Sequence, residues 1–324
     1  MSDVSELQVL GNLIFQDTKL VVNEISIYAN GNAFTVSTGV VFEGTVAAVY
    51  GGGKSNTVWS TDLTLLSGNY KQIYGGSNQG MVLYDTNVVV GGDVNVYSDL
   101  DLSDPDHPDA RVYNVYGGGL ESIVLGNTHV TIQEDAQTSV VYGGGKGDNS
   151  KVNGTCYVNV NGGKVMGYYG GNCEGSDAAV KHTVITMTDG ETEQIFGGSD
   201  RQSMALEGSS TNVIITGGEI TRRIYGGCYN DGDWALLGGA SYATEYFVTG
   251  NTTVTIGGTA NYTATGKIEK AISAGSRHNV NHTTENAVLN IETSDLYSKL
   301  KSYIGNSLME VDGYDTLYVA GKKQ

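Results

Sequence analysis

Five carboxylates crowd one short stretch of the chain, Asp99, Asp101, Asp104, Asp106 and Asp109, together with His107 and both prolines, Pro105 and Pro108. Oxygen ligands at this density suit calcium, a hard cation that takes six to eight of them. The stretch lacks the glycine and closing glutamate of an EF-hand loop, so a solvated acidic loop is the other reading. The two prolines hold it away from its neighbours, where binding loops sit. No cofactor other than calcium is expected. His278 and His282 lie four apart, but no glutamate follows the first as the zinc-protease pattern requires. His129 and His182 read as outward residues at strand edges. Arg201, Arg222, Arg223 and Lys181 form a loose basic set, although adjacent strand residues point opposite ways and Arg222 and Arg223 cannot close one clamp. Cys156, Cys173 and Cys228 are too scattered for a disulfide framework and read as small buried fillers.

What must position these groups is a repeat. An aromatic residue followed by two glycines recurs at Tyr50, Tyr74, Tyr116, Tyr142, Tyr169, Phe196 and Tyr225, 24 to 29 residues apart with one gap of 42. A fixed period of this size marks stacked repeat units, and the acidic stretch is the insertion that lengthens one of them. The residue before each aromatic is Val49, Ile73, Val115, Val141, Tyr168, Ile195 or Ile224, an apolar column that alternation turns inward. The aromatics then have the opposite parity and point outward, with glycines beside them. One reading is an open stripe for stacking on sugar rings. The other is a column whose members stack on one another beneath the loops that follow each turn.

A second recurrence places apolar pairs two residues apart at Val40/Phe42, Leu63/Leu65, Val88/Val90, Val130/Ile132, Val158/Val160, Ile185/Met187, Val213/Ile215, Val254/Ile256 and Leu289/Ile291. Gly91-Gly92, Gly162-Gly163, Gly217-Gly218 and Gly257-Gly258 follow four of these pairs as corners, where a missing Cβ permits positive φ. Each unit reads strand, glycine corner, strand, glycine turn, loop.

Composition agrees. The 324 residues include 47 Gly and only 2 Pro, with 39% hydrophobic and 16% charged residues, which excludes collagen and argues against disorder. A net charge of -17 repels nucleic acid. No apolar run approaches the roughly 20 residues that span a bilayer, so no membrane insertion is expected. The start, Met1-Ser2-Asp3-Val4, carries no signal-peptide pattern.

Units of the form Val-x-Ile-x-Gly-Gly, as at Val213 to Gly218, followed by Val-Tyr-Gly-Gly, as at Val115 to Gly118, resemble the right-handed parallel β-helix passengers of bacterial surface proteins and tandem repeats in secreted proteins of gut bacteria. The resemblance covers roughly Val40 to Ser276 and implies an all-β, single-stranded solenoid. It transfers no catalytic position, because the matching residues are corners and core ladders. The expected organisation is an N-terminal strand cap over 1–36, β-helix repeats over 37–276, about nine rungs at ~4.8 Å each, and a last rung with a C-terminal cap over 277–324. Leu296, Leu300, Tyr303 and Ile304 follow Ser294 and Asp295 at helical spacing, which predicts a short capping helix. The functional expectation is a non-catalytic extracellular or cell-surface protein for adhesion or glycan binding, with glycans or a host or bacterial surface protein as partner. The alternatives are a polysaccharide lyase or glycoside hydrolase with a loop-built site, and a structural spacer or phage tail fibre.

Overall fold

The computed structural model describes residues 5–96, 113–175, 179–229, 246–264, 271–276, 286–306 and 313–324. Within them the chain is all-β apart from one helix, and its strands join mostly in parallel into one large 24-stranded sheet, an arrangement compatible with a β-helix-like fold. Lys19–Val21 and Val41–Glu43 pair separately in a two-stranded sheet.

Two long ladders carry the fold. In the first, Leu13–Phe15 is followed in register by Ala33–Val36, Thr61–Leu65, Thr86–Val90, the opening halves of Thr128–Tyr142, Lys151–Tyr169 and Val180–Phe196, then Ser210–Ile215, Thr252–Ile256, Ala287–Ile291 and Thr316–Val319. Every pairing is parallel. The apolar pairs from Leu63/Leu65 to Leu289/Ile291 fall in equivalent positions and are buried together in the main core. The first pair is a correction. Val40/Phe42 stands outside this ladder, and Phe34 and Val36 occupy its place beside Leu63 and Leu65. Alternation alone cannot choose between two neighbouring apolar pairs; the register chooses.

The second ladder runs from Glu6–Gln8 through Ser26–Tyr28, Val46–Tyr50, Tyr70–Tyr74 and Asn114–Tyr116 to the closing halves of the three long strands, then Glu219–Tyr225 and Ala271–Ser273. Its inward column, Val49 to Ile224, joins the same core. In the three long strands the two ladders are continuous. The expected corner is there a bend within one strand, at register shifts beside Glu134, Gly162 and Gly163, all with positive φ.

Side-chain hydroxyls tie one ladder to the other. Thr61, Thr86 and Thr128 occupy one register column and donate to the carbonyls of Gly75, Gly117 and Gly143 at 2.6, 2.7 and 2.6 Å. Thr183 and Thr211 do the same to Gly197 and Gly226. Those glycines are required by crowding. A Cβ on Gly117 would lie 2.2 Å from the Gly143 carbonyl oxygen, and one on Gly75 2.2 Å from that of Gly117.

A helix forms over Ser294–Leu300, with Thr293 as its N-cap accepting from the Leu296 amide at 3.1 Å, but it ends before Tyr303 and Ile304, and Ile304 bridges Ile272 instead. Leu300 is its buried residue. Among the described residues no helix is long and apolar enough to cross a membrane.

Candidate functional site

The seven aromatics of the repeat form one column, and Tyr28 heads it. Tyr28 pairs with Tyr50 although no glycine pair follows it, so the mark in sequence understates the column by one ring. Centroids of successive rings are 4.6 to 5.3 Å apart and interplanar angles stay at or below 17°. Parallel ladders set this spacing: one rotamer repeated at each strand step puts each ring over the last. The column lies opposite the main core, as parity required, and forms a second cluster with Leu120, Cys173 and Tyr229.

Of the two readings of the column, the stacked and covered one describes its surroundings, and the open stripe does not. Tyr50, Tyr74, Tyr116, Tyr142, Tyr169, Phe196 and Tyr225 are 0 to 5% exposed. Their faces are taken by each other, and Leu120, Cys173 and Tyr229, each the fourth residue after an aromatic, pack against the column and belong to one row of bridges with Lys146 and Asp200. Tyr229 meets Tyr169 and Phe196 edge-on at 5.9 and 5.0 Å. Ring faces in this position are closed to a sugar.

A buried polar cluster stands on the column. Tyr142 donates its phenol to Asp200 Oδ2 at 2.9 Å, while Arg201 Nε lies 3.5 Å from Asp200 Oδ1 and the Arg201 guanidinium pairs with Glu174. Burial, with the Asp200 carboxylate added, pushes the Cys173 thiol up to about 12 and holds the Tyr142 phenol well above its ordinary range. A raised thiol is protonated and unreactive. Arg223 lies over the Phe196 and Tyr229 rings at 5.9 and 5.8 Å and donates through Nε to Gln194. Arg222 faces Glu193 at 3.9 Å instead. Arg201, Arg222 and Arg223 therefore meet separate acidic and aromatic neighbours.

Of the remaining sequence candidates, Asp99, Asp101, Asp104, Asp106 and Asp109, with His278 and His282, lie outside the described residues. Among the described residues no group of three His, Cys, Asp or Glu side chains is placed to hold a metal ion. Cys156, Cys173 and Cys228 are buried and unpaired by disulfide. His182 meets Ser210 Oγ at 2.9 Å.

The exposed aromatics lie elsewhere, where the repeat mark gave no signal. Trp59 and Tyr84 are 68% and 59% exposed and stack at 5.7 Å with an interplanar angle of 15°. Each sits two residues before a member of the threonine column, Thr61 or Thr86, and those two threonines are register partners. The same offset from Thr128 and Cys156 gives Gly126 and Gly154. Beside the pair, the outward positions Asp62, Asn87, His129 and Tyr157 follow one another across four strands. His129 stacks on Tyr157 at 4.9 Å, its Nε2 lies 3.8 Å from Asp85 Oδ2, and Asn87 donates to Asp62 at 2.9 Å. Comparing the residues two before each threonine would have found this patch. No protein-family model, curated protein or solved structure matches the chain.

Proposed function

We propose that the chain winds as a right-handed, single-stranded parallel β-helix and acts as a non-catalytic extracellular or cell-surface protein that binds glycan on its outer wall, at Trp59 and Tyr84. The coil reading is supported by two parallel ladders that advance in register along the chain and share one core. The binding reading rests on one observation: two large aromatic rings, stacked on neighbouring strands, stand more than half exposed beside hydrogen-bonding side chains. Exposed aromatic faces pack against the C–H faces of sugars, while Asp62, Asn87 and Asp85 offer acceptors and donors to hydroxyls.

A glycan array followed by a product assay tests the reading. Wild type retains intact oligosaccharide, and the W59A/Y84A double variant, with an unchanged circular dichroism spectrum, does not. Shortened chains would replace this reading with a polysaccharide-degrading enzyme. Absence of any retained glycan would leave a spacer.

A further inference from the structure

We infer that the glycan bound on this patch carries free amino groups, and that one sugar ring stacks on the Tyr84 face turned away from Trp59, over Gly126 and Gly154. The inference rests on the glycan reading above and specifies its ligand class.

The seat is set by two glycines. Trp59 covers one face of Tyr84, and the next two equivalent positions along the ladder carry no side chain. Neither position can acquire one without displacing backbone or the Asp85 and Asn127 side chains. A Cβ on Gly126 would come 2.3 Å from Asp85 Oδ1 and 2.8 Å from the Tyr84 carbonyl oxygen, and a Cβ on Gly154 would come 2.5 Å from both Asn127 Oδ1 and the Gly126 carbonyl oxygen. Tyr84 keeps more than half of its surface exposed although Trp59 covers one face, so the opposite face is the accessible one, and the Asp85 and Asn127 side-chain oxygens lie against the two glycines as the floor beside it. A sugar ring stacked there faces Tyr84 from the side opposite Trp59.

The ligand's charge follows from the rim. Asp85 is half exposed, and its Oδ1 is already oriented by accepting from the Asn127 amide at 2.7 Å. Asp62, exposed one strand away, presents a second carboxylate. His129 is the titratable neighbour on the adjoining strand, at 3.8 Å from Asp85. With a chain charge of -17 behind it, this rim attracts an ammonium-bearing sugar and repels a uronic acid. A protonated sugar amine beside Asp85 forms a charge-assisted hydrogen bond, the stronger kind.

The test compares three soluble oligosaccharides by calorimetric titration at 50 and 300 mM salt: a β-1,4 glucosamine hexamer, its fully N-acetylated counterpart and a galacturonic acid hexamer. The glucosamine hexamer should bind at least tenfold more tightly than the acetylated one at low salt, and lose most of that advantage at high salt. Tyr84→Ala should abolish binding of both. Asp85→Asn, which keeps an oxygen for the Asn127 backbone amide, should bring the affinities of the two hexosamine ligands to within twofold of each other. Equal binding of the two hexosamine ligands, or tightest binding of the uronic acid, overturns the amine assignment and leaves the glycan reading standing. Binding unaffected by Tyr84→Ala overturns the seat. Failure of all three to bind, on a broad array as well, overturns the glycan reading itself.

Discussion

The phenol of Tyr142 donates to Asp200 Oδ2 at 2.9 Å although 58 positions separate them in the chain. The bond fastens the aromatic column to a loop residue of a later unit, and it distinguishes one tyrosine from others that look identical in sequence. Tyr74, two rings earlier in the column, has a buried hydroxyl without a hydrogen-bond partner among the described residues.

Replacement of these two tyrosines by phenylalanine should therefore have different outcomes. Tyr142→Phe removes the donor to a buried carboxylate and should cost about 1–3 kcal/mol. Tyr74→Phe removes only an unsatisfied hydroxyl and should be neutral or slightly stabilising, since Phe196 already serves as a ring in this column. Urea denaturation of both variants checks the difference, and equal losses would contradict it.

Gly117→Ala and Gly11→Ala form a second pair. The added Cβ at Gly117 would meet the Gly143 carbonyl oxygen at 2.2 Å, whereas at Gly11 nothing lies within 4 Å. Overpacking against backbone should cost about 3 kcal/mol at Gly117, and little at Gly11. Thermal melts of the two variants provide the measurement.

Cys156 stands in the threonine column, register partner of Thr128 on one side and Thr183 on the other. Its thiol takes the place of a hydroxyl that, in the neighbouring units, binds the first glycine of the next turn. Cys156→Thr should supply a donor for the Gly170 carbonyl and stabilise by about 1 kcal/mol. A melting temperature raised by about 2 °C would agree; a lowered one would show that the thiol fills space a threonine cannot.

Stability should decline at alkaline pH. Burial raises Cys156 and Cys173 from 9.0 to about 12, and raises the phenols of Tyr50, Tyr74, Tyr116 and Tyr142 above their ordinary 10.0. These groups hold their protons more tightly folded than unfolded. Their contribution is complete below about pH 9 and is lost as pH rises through the folded values. Urea midpoints should fall steadily above pH 9, phenolate absorbance should lag behind that of free tyrosine, and native protein should resist thiol reagents at pH 8. A flat stability profile up to pH 11 would refute the burial of these groups.

Much of the architecture was legible because a repeated chain writes its register into its sequence. The apolar pairs, the inward column before each aromatic and the capping helix near Leu300 follow from periodicity and capping chemistry alone. The N-terminal segment was harder. Tyr28 lacks the glycine pair, and Phe34 with Val36 competes with Val40 and Phe42, so local pattern could not decide which pair joins the ladder. The threonine column was also present in the letters, two residues before most of the apolar pairs, with Cys156 and Ala287 in its place before two of them, but a hydroxyl's partner on another strand carries no local signature.

The candidate site was legible only in part. Sequence determined that an aromatic ladder exists and on which side of the strand it lies, because alternation fixes parity. Whether that side meets solvent depends on what the following residues do in space. Leu120, Cys173 and Tyr229 pack against the rings. Conversely, Tyr84 stays exposed where Trp59 covers one of its faces and the next two positions along the ladder are Gly126 and Gly154. Burial is a property of the neighbours that non-local pairing brings together, and only the tertiary structure supplies them.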